Sequence, residues 1–164
     1  MPGSLVGINT LVPNRLVAAS IREGLVPELE GYDEVRAEVK YGTNSRIDLL
    51  LTGVDKPCFV EIKNCTLVEN NTAFFPDAVT ARGLKHLREL QHEIHDGNRA
   101  VMFFMIQRMD ALRFKPAFDI DPAYSAELLR AVEAGVEILC YDTKIDFQSI
   151  RLRAPVAVNL DPGR

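Results

Sequence analysis

The apolar positions of this chain change their spacing several times, and each change marks a predicted element. Three consecutive strands are predicted early in the chain, and the third is expected to be long or bent. Three further segments have the apolar spacing of amphipathic helices. Two later runs are almost continuously apolar, as is typical of strands buried on both faces. The strands are "VRAEVKYG", "RIDLLLTG" and "PCFVEIKNCTLVE"; the helices are "NRLVAASIREG", Ala78 to Asp96 and "DPAYSAELLRAVEAG"; the buried strands are "RAVMFFMIQ" and "VEILCYDTKI".

The elements occur in the order helix, three antiparallel strands, helix, buried strand, helix, buried strand. This order predicts an α/β domain with a mixed central sheet flanked by helices. The two late strand–helix–strand steps favour a parallel portion of that sheet. The remaining segments are predicted as a loop over "NNTAFFPD", a connection or short strand over "RMDALRFKPAFDID", and a weaker edge strand with a tail over "DFQSIRLRAPVAVNL".

Polar and small residues mark the ends of two predicted helices. Asp121 precedes Pro122 and is expected to cap the third helix, which Gly135 ends. Asp77 and Thr80 precede the second helix, and we expect them to cap it rather than to bind a metal.

Three charged residues interrupt the apolar strands on either side of the turn "GVDKP". Asp48 lies in the strand before the turn, and Glu61 and Lys63 lie two apart in the strand after it. Glu61 and Lys63 therefore point to the same side of their strand. A hairpin centred between Val54 and Asp55 predicts an apolar side, Ile47 with Ile62, Leu49 with Val60 and Leu51 with Cys58, and a second side, Asp48 with Glu61, Arg46 with Lys63 and Leu50 with Phe59.

Two carboxylates that face each other across a hairpin repel, at a cost of up to about 1 kcal/mol. A divalent cation would relieve this repulsion, because carboxylate oxygens are the ligands that Mg²⁺ and Mn²⁺ prefer. A lysine beside that cation can hold a water molecule or offset charge on a phosphate. Asp48, Glu61 and Lys63 therefore indicate a metal-dependent phosphodiesterase site. The alternative is a surface ion-pair cluster that joins Asp48 to Lys63 and Arg46 to Glu61.

Composition narrows the classes of protein that fit these elements. The length of 164 residues suits one domain, and a net charge of −4 argues against a non-specific polyanion binder. The segment 82–115 nevertheless carries seven basic and four acidic residues, a net of +3, so a local basic face is expected. Three scattered cysteines fit neither a disulfide framework nor a zinc site. With no apolar run of membrane-spanning length and no signal-peptide pattern, we expect a cytoplasmic protein.

The arrangement of Asp48, Glu61 and Lys63 resembles that of the PD-(D/E)xK nuclease superfamily, which has the restriction-endonuclease-like fold. In that superfamily a proline usually precedes the aspartate, and here Ile47 takes its place. Longer blocks, from about Gly7 to Val158, are similar to the sugar fermentation stimulation protein A family. These blocks are "INTLVPNRLV", "EVKYGTNSRIDLLL", "CFVEIKNCTLVEN", "FFPDAVTARGLKHLREL", "AVMFFMIQ", "RFKPAFDIDPAY" and "GVEILCYD".

The resemblance implies that residues 1–164 form a single nuclease-like domain of a DNA-binding protein, without the N-terminal OB-like domain of the family. It implies that Asp48, Glu61 and Lys63 are catalytic and that Asp48 and Glu61 hold Mg²⁺ or Mn²⁺. The main-chain carbonyl of Ile62 is the candidate third ligand. The superfamily often adds an acid from near the first helix, for which Glu38 and Glu23 are the candidates.

Basic residues near the hairpin are candidates for nucleic-acid binding. On the second helix Arg82, Lys85 and Arg88 recur every three residues and share one flank, and Lys40 and Arg46 lie beside the hairpin. An ordinary solvated helix face is the alternative. The sequence assigns no chemical role to His86, the histidine nearest to these basic residues of the second helix, since Lys63 already serves the proposed chemistry.

Three functions remain open from the sequence. The first is a Mg²⁺-dependent nuclease that acts on DNA, with single-stranded and branched DNA as candidate forms and a homodimer as the candidate assembly. The second is a DNA-binding transcriptional regulator of sugar metabolism that keeps the nuclease fold without cutting. The third is a protein that does not bind nucleic acid and in which the charged residues form a structural ion cluster.

Overall fold

The structure, a computed structural model, describes residues 12–146 and 148–163. The start of the family-like block at Gly7 therefore lies outside the described residues. Three α-helices and one short 3-10 helix (Pro27–Leu29) are present in the described ranges. The α-helices are α1 (Val12–Arg22), α2 (Ala81–His95) and α3 (Pro122–Ala134). Within these same ranges, no helix has both the length and the apolar character needed to span a bilayer.

In the described residues, ten strands form two sheets, and the larger sheet has six of these strands. In chain order the strands are β1 (Glu34–Tyr41), β2 (Ser45–Thr52), β3 (Cys58–Cys65), β4 (Leu67–Glu69), β5 (Thr72–Phe75), β6 (Arg99–Ile106), β7 (Arg113–Pro116), β8 (Glu137–Ile145), β9 (Ile150–Pro155) and β10 (Ala157–Val158). The large sheet has the order β1-β2-β3-β6-β8-β9. Its first three strands are antiparallel, β3, β6 and β8 are parallel, and β9 is antiparallel to β8. The predicted α/β class, with a mixed central sheet flanked by helices, is confirmed.

A second sheet was missed by the sequence analysis. It has the order β10-β7-β5-β4, and it takes one strand from the predicted loop "NNTAFFPD". The loop prediction was wrong because β5 is only four residues long, too short for its alternation to stand out. Its pairing partners, β4 and β7, supply the missing stability by antiparallel and parallel ladders. The bend predicted in the third strand is the break at Thr66 between β3 and β4.

The central strand β6 separates two hydrophobic cores. Met102, Phe104 and Ile106 pack toward α2 and α3, whereas alternate residues such as Phe103 and Met105 pack toward α1. Every residue from Ala100 to Ile106 is fully buried, as the continuous apolar run predicted. This two-sided burial places α2 against one face of the large sheet and α1 against the other.

The predicted register of the β2–β3 hairpin is confirmed for three pairs: Leu49 with Val60, Leu50 with Phe59 and Leu51 with Cys58. The ladder ends there, one position before Asp48. The predicted apolar side was wrong at Ile47, which joins the core on the α2 side, whereas Leu49 and Ile62 join the core on the α1 side. Strand β2 therefore loses its regular alternation at Asp48, where pairing to β3 stops.

Asp121 links the beginnings of two helices. Its Oδ1 accepts a hydrogen bond from the main-chain N–H of Tyr124 at 2.9 Å and so caps α3, as predicted. Its Oδ2 accepts a hydrogen bond from the main-chain N–H of Thr80, also at 2.9 Å. Thr80 in turn caps α2 by accepting a bond from Gly83. The buried carboxylate of Asp121 thus fixes the position of the start of α2 relative to the start of α3.

We expect Asp121→Ala to lower the free energy of unfolding by about 1–3 kcal/mol, because two main-chain N–H groups lose their acceptor. Chemical denaturation monitored by circular dichroism measures this change. Asp119→Ala is the matched control, since Asp119 is exposed two residues earlier. Equal stability of the two variants would contradict the linking role of Asp121.

Candidate active site

Asp48 lies where α1, β2 and β3 meet. Its Oδ2 accepts a hydrogen bond from the main-chain N–H of Ile62 at 2.8 Å, and its Oδ1 accepts one from the Asn14 side chain, also at 2.8 Å. The side chain of Asp48 thus bonds to β3 at the point where the main-chain ladder has ended. Burial, and then repulsion from Glu61, raise the pKa of Asp48 to about 6 despite these two hydrogen bonds.

Glu61 is a buried carboxylate in the middle of β3, with only 2% of the residue exposed. Its Oε1 accepts a hydrogen bond from Lys63 Nζ at 2.7 Å and is also in contact with His86 Nδ1. Burial by itself raises the pKa of Glu61, but the hydrogen bond from His86 and the charge of Lys63 outweigh burial and bring the pKa below its usual value. Glu61 is therefore held as a carboxylate.

His86 joins the acid and the lysine of this cluster. Its Nδ1 lies 3.0 Å from Lys63 Nζ and contacts Glu61 Oε1 as well. An ammonium group only donates and a carboxylate only accepts, so Nδ1 bonds to Glu61 when protonated and to Lys63 when not. The sequence analysis missed this residue. The available signal was helical spacing, because buried Gly83, Leu87 and Leu90 place His86 on the face of α2 that meets the sheet.

The chemistry of the carboxylates fits a divalent cation. Glu61 Oε2 is buried and has no hydrogen-bond partner among the described residues. A buried, unpartnered carboxylate oxygen costs free energy unless something binds it. In residues 12–146 and 148–163, no three His, Cys, Asp or Glu side chains come together as a complete metal site. Two carboxylates with a main-chain carbonyl and water suffice for Mg²⁺, which usually keeps several waters in proteins.

A cavity of about 410 Å³ opens beside Asp48. It is bounded by the β1–β2 hairpin on one side and by α2 on the other. Glu61 and Lys63 are connected to it through His86, which both lines the cavity and contacts the two residues. The residues that line it are Glu38, Asn44, Ser45, Arg46, Asp48, Arg82, Lys85 and His86.

Glu38 and Glu23, the two candidates for an additional acid of the site, lie in different places in the structure. Glu38 lines the same cavity as Asp48, and its backbone has a φ of 56°, in the left-handed region that few residues other than glycine adopt. Such backbone strain inside a strand clusters at functional sites. Glu23 lies immediately after the end of α1 and is exposed. The geometry therefore favours Glu38 as the additional acid.

The predicted basic residues divide between the cavity and its surroundings. Arg46, Arg82 and Lys85 line the cavity. Lys40 and Arg46 line an adjoining cavity of about 450 Å³. Arg88 instead lies 3.6 Å from Glu127 of α3.

The ion pairs differ from those expected of a surface ion-pair cluster. Lys63 pairs with Glu61, its neighbour on β3, and not with Asp48. The hydrogen bonds that Asp48 accepts come from an amide side chain and a main-chain N–H, both neutral donors. A simple surface ion-pair cluster therefore does not describe the site, because Glu61 is buried, Asp48 is partly buried, and the two acids have different partners.

Comparison with known proteins gives consistent matches over most of the chain. The family model described as "Sugar fermentation stimulation protein RE domain" matches residues 11–149. The sugar fermentation stimulation protein homologue of Paramagnetospirillum magneticum is 50% identical over 159 residues, which cover 96% of this chain and 67% of that protein. The homologue of Geobacter sulfurreducens is 54% identical over 156 residues, 94% of this chain and 67% of that protein.

A solved structure has a similar fold. The sugar fermentation stimulation protein (SfsA) of Pyrococcus furiosus, solved in complex with Ca²⁺, superposes with a TM-score of 0.89 at 32% identity. The match covers 96% of this chain and 68% of that one. These matches bear out the family resemblance and the restriction-endonuclease-like fold that it implied.

The raised pKa of Asp48 predicts a pH-dependent stability in the absence of divalent metal. A folded pKa of about 6 lies above the unfolded value of about 4, so the contribution of Asp48 to stability is present below pH ~4 and lost as the pH rises through ~6. We expect the free energy of unfolding of Asp48→Asn, relative to wild type, to rise by about 1–3 kcal/mol between pH ~4 and pH ~8.

Denaturant titrations in chelator at several pH values measure this difference. Asp55→Asn, an exposed residue of the turn in the same hairpin, controls for the general loss of one negative charge. If the two variants track each other across the pH range, the raised pKa of Asp48 is wrong.

Proposed function

This chain belongs to the sugar fermentation stimulation protein family, and we propose that it binds DNA and hydrolyses phosphodiester bonds with the help of Mg²⁺ or Mn²⁺. One observation carries the proposal. Glu61 contacts Lys63 and His86 through one oxygen, and its other oxygen is buried without a hydrogen-bond partner among the described residues. His86 connects Glu61 to a cavity with basic walls. That combination suits a site for a cation and a phosphate better than it suits a structural ion pair.

Asp48 and Glu61 would hold the cation, with the main-chain carbonyl of Ile62 as the third protein ligand. Repulsion between the two carboxylates contributes to the raised pKa of Asp48, and a divalent cation would remove it. The Ca²⁺ complex of the Pyrococcus furiosus relative supports a divalent cation in this family. When bound, such a cation supplies Lewis acidity toward the phosphate and lowers the pKa of a coordinated water.

Lys63 and His86 would serve the chemistry directly beside these carboxylates. The ammonium group of Lys63 orients the attacking water and offsets charge that develops on the phosphate. Lys63 is only partly exposed, with a side-chain exposure of 14%, and its contacts to Glu61 and His86 hold it in place. His86 bonds to Lys63 when Nδ1 is unprotonated and to Glu61 when Nδ1 is protonated, so it would hold one member of that pair in either state.

DNA binding would rest on the basic side chains around the cavity. Arg46 and Arg82 face the cavity from the hairpin and the helix, and Lys40 extends the basic surface into the adjoining cavity. Contacts to phosphate oxygens dominate the affinity of proteins for DNA. The acidic net charge of the chain is compatible with this role because Arg46, Arg82 and Lys85 line the same cavity.

The second candidate is a DNA-binding regulator that keeps the fold and does not cut. Two observations favour it: both oxygens of Asp48 are already hydrogen-bonded, and the described part of the chain does not gather three ligating side chains. In this case the basic cavity binds DNA while the carboxylates have only a structural role. Binding without cleavage would support the regulator.

A cleavage assay tests the first candidate. We expect metal-dependent cutting within a panel of single-stranded, double-stranded and branched DNA and RNA, and we expect Lys63→Ala to slow it by about 10²–10³-fold. Lys56→Ala, an exposed lysine in the turn of the same hairpin, is the matched control. The reactions run with Mg²⁺, with Mn²⁺ and with chelator. Cutting that persists in Lys63→Ala or in chelator would refute the proposed site.

The basic walls of the cavity make a separate prediction about binding. Arg82→Ala should weaken DNA binding for all sequences tested and lower the salt slope of log Kd by about one, as expected for a lost phosphate contact. Arg88→Ala, on the same helix but beside Glu127, should change the slope less. Fluorescence anisotropy at several salt concentrations measures both. Equal slopes for the two variants would remove the cavity from the DNA interface.

A further inference from the structure

The turn between β1 and β2, residues 42–44, and the first residue of β2 are joined to α2 by two hydrogen bonds. Ser45, at the start of β2, donates a hydrogen bond through Oγ to Glu89 Oε1 at 2.7 Å. Lys85 Nζ donates one to the main-chain carbonyl of Thr43 at 2.8 Å and lies 3.6 Å from Glu89 Oε1. Glu89 and Lys85 lie one helical turn apart, so a single patch of α2 holds the hairpin.

Glu89 is unusually placed for an acid that only stabilises a turn. It is 6% exposed, and its Oε2 is buried without a hydrogen-bond partner among the described residues. Gly42 approaches it so closely that a Cβ at that position would lie 2.9 Å from Glu89 Oε1. A buried carboxylate with a free oxygen costs stability, and a glutamine could accept the same bond from Ser45 without burying a charge.

The contacts of Glu89 lie between two basic residues that line the cavity beside Asp48. Arg46 follows Ser45 directly, and it lines both cavities beside the turn. Arg82 lies on α2 two helical turns before Glu89 and lines the cavity beside Asp48 from the other side. The Ser45–Glu89 bond therefore joins the hairpin that carries Arg46 to the helix that carries Arg82.

We propose that Glu89 is a positioning residue for nucleic-acid binding: through Ser45 it holds the β1–β2 turn so that Arg46 and Arg82 bind the same stretch of phosphodiester backbone. This inference rests on the proposed DNA binding but not on cleavage. It also makes Gly42 a necessary glycine, because any larger residue would meet the carboxylate and would have to adopt a φ of 52°.

The sign of the expected effect separates positioning from simple charge. Glu89 is negative, and removing a negative charge beside a polyanion site should tighten binding. It would also release Lys85 from its ion pair. A positioning role predicts the reverse, since loss of the acceptor frees the turn and separates the two arginines.

The test measures binding of a fluorescein-labelled double-stranded DNA oligonucleotide, and of one of its strands alone, by fluorescence anisotropy in chelator. We expect Glu89→Ala to raise Kd about fivefold or more and Ser45→Ala to raise it about threefold, whereas Glu89→Gln, which keeps a carbonyl acceptor, stays within about twofold of wild type. Glu133→Ala, an exposed glutamate on α3, is the charge-matched control. Thermal unfolding of each variant accompanies the binding measurement.

A double-mutant cycle with Arg46 distinguishes positioning from loss of structure. If Ser45 acts by placing Arg46, Ser45→Ala should weaken binding less in the Arg46→Ala background than in wild type. Additive effects, or unchanged or tighter binding in Glu89→Ala and Ser45→Ala, would overturn the inference. Ser45→Ala keeps the test decisive should Glu89→Ala fail to fold. Absence of DNA binding by the wild type would instead refute the proposed function, and the inference with it.

Discussion

The site depends on a carboxylate that is buried in the middle of a central strand. Glu61 is almost completely covered, and a charge in such a position is tolerated only with close partners. Lys63 supplies one partner from the same strand, and His86 supplies another from the helix that packs on that face. Moving α2 away from β3 would leave the carboxylate without its histidine, so the packing of the helix and the chemistry of the site are coupled.

The topology explains why the partners can meet. Strand β3 pairs antiparallel with β2 on one side and parallel with β6 on the other, so it belongs to both halves of the large sheet. Alternation sends Val60 and Ile62 into the core beneath α1 and sends Glu61 and Lys63 toward α2. Asp48 connects β2 to β3 and to α1, because its side chain accepts a hydrogen bond from each of them.

A second carboxylate, that of Glu89, is also buried and has polar partners, and it lies about one helical turn after His86. Glu89 lies on the buried side of α2, as His86 does, but it binds the β1–β2 turn instead of β3. The helix thus contacts two parts of the antiparallel half of the sheet through polar side chains in an otherwise apolar interface. Because such contacts have fixed geometry, they specify the distance between helix and hairpin more sharply than apolar packing alone would.

The sequence by itself determined what depends on neighbours along the chain. Alternation and turn residues predicted the α/β class and the three observed pairs of the β2–β3 hairpin, and they placed Glu61 and Lys63 on one side of a strand. Thr80 and Asp121 were predicted as caps because a cap acts within a few residues of its own position. Short strands such as β5 were missed because four residues carry too little pattern.

Only the tertiary structure decided which distant residues complete the site. The contacts of His86 with Glu61, of Asn14 with Asp48 and of Ser45 with Glu89 each join separate elements, and one sequence without its fold contains no distance between them. The choice of Glu38 over Glu23 likewise depended on which acid reaches the cavity. Periodicity determines the face on which a side chain lies, whereas the packing of sheet and helices determines what that face meets.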